Sequence, residues 1–369
     1  MITSTLIFGI LLISVITALL ALFLETAHSY IADYGQVRIN INNDKDLEVN
    51  GGDPLLSTLI REKIFIPSAC GGKGTCGYCK VRVLEGGGPL LPTESPYLSK
   101  EEIQQDKRIS CQIKVKSDMK IAIPQELFNV REYRVLAERI EELTHFIKGI
   151  RLEILEPEDG ISFVPGQYIQ LQVPAYKLSS QPEFRAYSIA SSARDHHFLD
   201  LVIARVDKGI VSTYVHDYLR EKDELIARGP FGDFHLLESD RDILLIATGS
   251  GLAPMMSILH QIDYEHIQRK TTLFFGTRTP DELFYYDELR SLERRLKQFT
   301  FVPTLSRARS RDDWKGERGR VTELIETYIH DNAAVDVHIC GSPPMVQSCV
   351  DLLIKKGIPA DRIIFDKFE

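Results

Sequence analysis

At 369 residues the chain has room for two or three domains. Its 44% hydrophobic and 26% charged residues are the balance of a folded protein and exclude a disordered one. A net charge of −8 without a long Lys/Arg run excludes the basic footprint that nucleic acid demands, and six cysteines are too few for a disulfide scaffold of this length.

The chain opens on MITSTLIFGILLISVITALLALFLETA, with no charged side chain from Ile2 to Leu24. As a helix, such a run covers about 30 Å of hydrocarbon. A secretory signal would carry a basic start and a shorter apolar core, so residues 1–26 read as a retained transmembrane helix. The next positive residue is Arg38, so flanking charge sets no orientation.

Residues 36–51 alternate apolar and polar side chains, and Asn50-Gly51 reads as a hairpin turn. PLLSTLIREKI has the spacing of a short amphipathic helix. Strand-like KVRVLEG, a polar stretch, RISCQIKV and MKIAIP complete an expected α+β domain over residues 36–125. Between 131 and 236 many short strand-like runs are punctuated by Gly and Pro, the texture of an antiparallel β-barrel, with one helix at STYVHDYLR. From 240 to 369 apolar strands alternate with helical stretches, which signals an α/β domain with a parallel sheet.

Within SACGGKGTCGYCKVRVLEGGG, Cys70, Cys76 and Cys79 are spaced x5 and x2, and Cys111 follows after 31 residues. Four thiolates suit zinc or a [2Fe–2S] cluster. Zinc ribbons favour two CxxC pairs and only one is present, whereas the plant-type cluster pattern differs by a single residue in the first gap. Gly71, Gly72, Gly74 and Gly77 would let backbone N–H groups turn toward the sulfurs. These four cysteines are therefore the expected metal ligands. Cys349 sits in a helical pattern and reads as core, while Cys340 ends a strand and is expected at a cleft edge.

RAYSIASS places Arg185, Tyr187 and Ser188 at a strand end. An arginine fork suits a pyrophosphate, a tyrosine can lie on a flavin ring, and a serine can bond a ring nitrogen. Gly209, Val211 and Ser212 open a helix whose free N–H groups suit a phosphate. LLIATGSGLAPM sets Gly249, Gly251 and Pro254 between a strand and a helix, with proline where the dinucleotide fingerprint has a third glycine or alanine. About 28 residues later Thr277 and Arg278 end another strand, where adenosine-ribose contacts are expected; the plainer reading pairs Arg278 with Asp281 or Glu282. NADH is the expected donor, although TLSRARSRDD supplies Arg307, Arg309 and Arg311 to a possible 2′-phosphate pocket.

The order of these motifs resembles the ferredoxin:NADP+ reductase superfamily with a ferredoxin domain fused in front. Arg185, Tyr187 and Ser188 match its R-x-Y-S motif, Gly209 to Ser212 its phosphate motif, Gly249 to Pro254 its nicotinamide motif, and Cys340, Gly341 and Pro343 its C-G-x-P motif. The apolar start, the cysteine spacing, GTCGYCKVRVLEGGG and LLPTE are similar to the F subunits of Na+-translocating NADH:quinone reductases. The resemblance implies a β-grasp ferredoxin domain, an FAD barrel and a Rossmann-like NAD domain. It also implies cofactors FAD and [2Fe–2S], with NADH as donor, and a C-terminal aromatic over the flavin, for which Phe365 and Phe368 are candidates. Hydride would pass from NADH to FAD and single electrons onward to the cluster, with no general base required. The partners implied are integral membrane redox subunits with quinone as final acceptor, the anchored domains facing the cytoplasm. A reductase feeding an oxygenase shares the same three modules.

Overall fold

A computed structural model of the chain describes residues 9, 11–23, 34–309 and 313–367. It contains two compact units, Met1–Asn129 and Val130–Glu369. Residues 11–23 are helical, and Leu12, Ile16, Leu20 and Phe23 are each at least half exposed. Among the described residues no helix is long and apolar enough to cross a membrane. The rest of the expected 1–26 span, apart from Gly9, lies outside the described residues.

The first unit is a five-stranded sheet. Its strands are β1 (Gln36–Ile41), β2 (Lys45–Asn50), β3 (Lys80–Glu85), β4 (Lys107–Ile109) and β5 (Met119–Ala122), in the order β2-β1-β5-β3-β4. Alternation in β1 sends Val37, Ile39 and Ile41 inward, where Leu55, Leu56 and Leu59 of helix α1 (Leu55–Arg61) complete the core. The central pair β1 and β5 runs parallel, which closes the β-grasp arrangement. The hairpin turn is not at Asn50-Gly51. It falls at residues 42–44, where Asn42 and Asn43 take φ 55° and 57° and the Asp44 N–H donates to Ile41 O at 3.0 Å. Asparagine tolerates this left-handed region, so two successive asparagines turn the chain, and Asn50-Gly51 instead leads it out toward α1.

The polar stretch before Cys111 holds helix α2 (Lys100–Gln104), started by a capping box in which Ser99 and Glu102 exchange hydrogen bonds. Beside it lies a buried ion pair. Arg108 reaches Glu94 at 2.6 Å and also donates to the carbonyls of Gly87, Gly88 and Pro89, while Glu94 accepts from Ile109 N–H. Burial alone would raise the Glu94 carboxyl, but Arg108 and the N–H groups of Leu91 and Ile109 hold it below the ordinary carboxylate range.

The second unit begins with an antiparallel sheet of β6 (Arg131–Thr144), β7 (Ile147–Glu156), β8 (Tyr168–Val173), β9 (Glu183–Ser188), β10 (Phe198–Ala204) and β11 (Glu224–Phe231), ordered β10-β7-β6-β11-β8-β9. The edges meet where Ile189 bridges Leu201 and Ala190 N–H donates to Asp200 O at 2.8 Å. Helix α3 (Ile210–Asp217) packs Val211 and Val215 into the barrel core.

The parallel sheet that follows is β12 (Asp242–Thr248), β13 (Thr271–Thr277), β14 (Phe299–Leu305), β15 (Glu317–Arg318), β16 (Val335–Gly341) and β17 (Ile363–Lys367). Its order is β15-β14-β13-β12-β16-β17. Helices α4 (Leu252–Tyr264) and α5 (Tyr286–Arg295) pack on one face, α6 (Val321–Tyr328) and α7 (Pro343–Lys355) on the other. Ile147, Ala190 and Val202 of the barrel join the first of these two cores, so barrel and parallel sheet share apolar packing.

Replacing Glu94 by Gln leaves the Arg108 charge buried without its counter-ion, at a cost of about 3 kcal/mol. Because the folded Glu94 carboxyl lies below its unfolded value, the wild-type contribution is complete above the ordinary carboxylate pKa and is lost as pH falls through the folded value. Thermal unfolding of the first unit, followed by visible absorbance, should show the largest gap between the two proteins at neutral pH and a shrinking one below about pH 4.

Candidate functional site

The cysteine loop joins α1 to β3. Gly71, Gly72, Gly74 and Gly77 all adopt left-handed φ, from 67° to 87°. At Gly77 a Cβ would stand 2.8 Å from the Tyr97 side chain, so both conformation and space require glycine there. The Gly72 N–H donates to the buried Ser68 hydroxyl at 2.9 Å and ties the loop down.

The four thiols stand as two pairs. Cys76 Sγ lies 3.3 Å from Cys70 Sγ, and Cys79 hydrogen-bonds Cys111. The proton donated by Cys76, with backbone N–H groups of Thr75 and Cys76, holds the Cys70 thiol down at about 3 against its burial. Cys76 is pushed up by the same hydrogen bond and by burial. In the second pair Cys79 rises, and Cys111 falls to about 7 through Cys79, Gln112 and the Gly74 N–H. Among the described residues no three His, Cys, Asp or Glu side chains converge as a single ion would require. Two pairs of thiols suit two irons with two thiolates each, and inward backbone N–H groups suit a cluster's negative sulfurs. Gln112 Nε2, 3.5 Å from Cys111 Sγ, adds a donor that the spacing gave no reason to select.

In the barrel, β9 carries Arg185, Tyr187 and Ser188 on the sheet edge beside β8. The Arg185 guanidinium donates to Phe184 O at 2.6 Å and lies 3.4 Å from Glu183, so it is held at the strand end. Burial pushes the Tyr187 phenol up and keeps it neutral. Just past the end of β9, Ser191 is buried with its hydroxyl unpartnered among the described residues, and its carbonyl accepts from Ser257 of α4 at 2.8 Å. A flavin edge would satisfy that hydroxyl, and nothing in the motif itself singled Ser191 out. At the start of α3 the Ser212 hydroxyl accepts from Val206 N–H at 3.1 Å, and the Val211 side chain is in the core. These two residues therefore offer backbone N–H groups to a phosphate, while their side chains fix the turn.

The strand order of the parallel sheet reverses between β12 and β16, and a crevice at such a point takes the dinucleotide. Gly249 (φ 54°) turns the chain out of β12 into open space. A Cβ on Gly251 would overlap the carbonyl of Cys340, and one on Gly341 would overlap the Thr248 hydroxyl. Gly249, Gly251, Cys340 and Gly341 are thus brought together at one crevice. The Cys340 thiol itself is fully buried in the core and not at a cleft edge, because β16 is interior and its side chain points under α4. Burial raises that thiol well above its ordinary value. Cys349 is fully buried as expected.

Thr277 ends β13 with its hydroxyl donating to Thr279 O at 3.2 Å. Arg278 is engaged by Glu282, at 2.9 Å between side chains and 3.0 Å from its own N–H, and its guanidinium lies 5.1 Å from the Phe146 ring centroid. The plainer reading of Arg278 is the one seen. Pro254 lies in the first turn of α4. Phe365 is exposed on the edge strand β17 with the Lys367 ammonium 5.1 Å from its ring centroid, while Phe368 and Arg311 lie outside the described residues.

Three domain families match the chain. They are the 2Fe-2S iron-sulfur cluster binding domain over residues 39–116, the oxidoreductase FAD-binding domain over 135–236, and the oxidoreductase NAD-binding domain over 245–351. The chain therefore carries domains for all three groups. Among curated relatives, the F subunit of the Na(+)-translocating NADH-quinone reductase of Neisseria gonorrhoeae is 32% identical over 98% of this chain and 99% of its own. Its counterpart in Klebsiella pneumoniae is 32% identical with the same coverage. In structure the chain is similar to GcoB, an Amycolatopsis cytochrome P-450 reductase, with TM-score 0.73 and 26% identity over 90% of this chain and 98% of that one. A ferredoxin reductase in carbazole 1,9a-dioxygenase shares the fold with TM-score 0.69 at 24% identity, over 91% of this chain and 99% of that one.

Gly251→Ala should move the turn away from Cys340 and lower kcat/KM for the nicotinamide nucleotide about tenfold or more. Absorbance of flavin and cluster should stay at wild-type occupancy. Equal kinetics of the two proteins would show that the turn does not hold the nucleotide. In native protein Cys340 and Cys349 should resist alkylation that reaches them after unfolding, as mass spectrometry of labelled peptides would record.

Proposed function

The chain belongs to the F-subunit family of Na+-translocating NADH-quinone reductases, and on that basis we propose how its residues divide the work. The protein oxidises NADH and is the electron input of that enzyme. When bound, FAD takes a hydride from NADH and the [2Fe–2S] cluster carries single electrons onward.

Cys70 and Cys76 would hold one iron and Cys79 and Cys111 the other, with backbone N–H groups of Gly74, Thr75 and Cys76 turned toward the sulfurs and the left-handed glycines shaping the loop. Arg185 and the start of α3, from Gly209 to Ser212, hold the FAD pyrophosphate; Tyr187 lies against the ring system and Ser188 bonds its edge. The Gly249–Pro254 turn and Gly341 bind the nicotinamide nucleotide at the crevice between β12 and β16, with Thr277 near its ribose. The buried Cys340 thiol stays protonated at neutral pH and shapes the crevice through its carbonyl. Hydride transfer removes no proton from a carbon acid, so no side chain is assigned as general base. Phe365, exposed on β17, covers the flavin, and the three modules span residues 36–125, 131–236 and 240–369.

The observation that carries this reading is the two-by-two pairing of thiols in a loop of left-handed glycines, ahead of a barrel and a parallel sheet. Residues 1–26 would be a single-pass anchor in the cytoplasmic membrane, with the redox domains on the NADH side. The exposed apolar side chains of residues 11–23 favour it. The partners would be membrane-embedded redox proteins that deliver electrons to quinone. A second reading, a reductase feeding an oxygenase, is favoured by the likeness to GcoB.

Solubilising native membranes in mild detergent and isolating this chain should bring integral membrane flavoproteins with it in fixed ratio. An oxygenase component in their place would establish the second reading. Cys79→Ser should abolish the visible cluster spectrum while NADH still bleaches the flavin.

A further inference from the structure

Apolar packing brings helix α3 to the barrel without fixing how it is rotated there. Val211 and Val215 sit in the core against which Tyr187 packs, and such contacts are non-directional. A pyrophosphate held between Arg185 and the start of α3 needs more, because the two belong to separate elements and one anion has to meet both. Gly209 precedes α3 without a side chain to cap it, so the first-turn N–H groups keep their donors for an anion.

The directional bond comes from the loop between β8 and β9, residues 174–182. Adjacent antiparallel strands are commonly joined by about two to five residues, and this connection is longer. Its extra length is folded back and tied down. Tyr176 and Ser179 exchange two backbone bonds, at 2.8 and 2.9 Å, and turn the chain. Pro174, Ala175, Lys177 and Leu178 are exposed, while Tyr176 is turned in and half-buried. Its ring lies edge-on to Tyr214 of α3 and to Tyr218 at the helix end, each at 5.3 Å between centroids. Tyr214 and Tyr218 stack on each other at 6.0 Å, so the three rings form one wall. The Tyr176 hydroxyl donates to the carbonyl of Ile210, the first residue of α3.

The same loop reaches Arg185. The Ser179 hydroxyl donates to Gln181 O at 2.9 Å and lies 3.3 Å from the Glu183 carboxylate, which stands 3.4 Å from the Arg185 guanidinium. One loop thus grips the helix start at one end and the strand arginine at the other.

We infer that Tyr176 is a positioning residue of the flavin site. Through the Ile210 carbonyl it holds the first turn of α3 in register with Arg185, so that both meet one pyrophosphate. The inference rests on the reading of Arg185 and the Gly209–Ser212 start as the pyrophosphate site. The flavin ring is left to Tyr187 and Ser188, so loss of the Tyr176 bond should be felt at the phosphates alone.

The test uses the full chain in detergent, stripped of flavin with its cluster retained, and follows rebinding by quenching of flavin fluorescence. FAD carries the pyrophosphate. Riboflavin has the same ring and no phosphate, and so reports the ring pocket alone. Tyr176→Phe keeps the wall of three rings and removes the hydroxyl. It should raise the FAD dissociation constant about fivefold and leave that of riboflavin unchanged. Arg185→Ala should raise the FAD constant about tenfold or more, again sparing riboflavin. An unchanged FAD constant in Tyr176→Phe would overturn the positioning role. So would equal weakening of both flavins, because a merely structural residue loosens both. An effect in Tyr176→Phe without one in Arg185→Ala upholds the hold on α3 and removes Arg185 from the pyrophosphate site. An effect in Arg185→Ala alone overturns the role of Tyr176 and keeps the site. If neither variant separates FAD from riboflavin, the pyrophosphate reading fails and the inference with it.

Discussion

Backbone N–H groups brought against negative charge are the constraint on which the rest of the structure depends. Thiolate-bound sulfurs and pyrophosphates both need positive surroundings, and in a chain of net charge −8 the main chain supplies much of it. An amide donor is fixed by the fold, has no rotamer freedom to lose and carries no proton that titrates near neutrality. A site built this way can gain or lose one electron without moving a proton. In the proposed sites the means would be left-handed glycines in the cysteine loop, a helix start at Gly209 and a strand-to-helix turn at Gly249. Each also fixes what surrounds it: Tyr97 closes on Gly77, and the Cys340 carbonyl closes on Gly251.

What was legible in the sequence was local. The cysteine spacing, the R-x-Y-S strand and the GxG turn each occupy a few successive residues, and the glycines that serve them lie in the same segments. The order of the three modules was legible because strand alternation and strand–helix alternation have different periods. What escaped depends on residues distant in the chain. Asn42 and Asn43 outrank Asn50-Gly51 as the hairpin turn because β2 must end where α1 begins, a requirement invisible in either dipeptide. The depth of Cys340 follows from β16 lying inside the sheet, next to β12 from some ninety positions earlier. Ser191 and Gln112 carry no motif, and only packing gives their polar atoms significance. The apolar N-terminal run was plain in the sequence, while its full extent lies outside the described residues.

The two transfers this protein performs place unequal demands on geometry. A hydride moves between atoms in contact, so donor and acceptor sites have to be held to within a fraction of an ångström. An electron passes through intervening matter and tolerates several ångströms. The second unit meets the stricter demand by giving barrel and parallel sheet one core: Ile147, Ala190 and Val202 pack with Leu252, Met256 and Phe275. Ser257 bonds the Ser191 carbonyl, and Arg278 covers Phe146 at the tip of the β6–β7 hairpin. A close-packed interior resists such displacement far better than a polar interface does. The contacts that tie flavin barrel to nicotinamide sheet therefore belong to the chemistry as much as the residues lining the crevice. The ferredoxin unit, compact on its own core, has only to hold its four thiols.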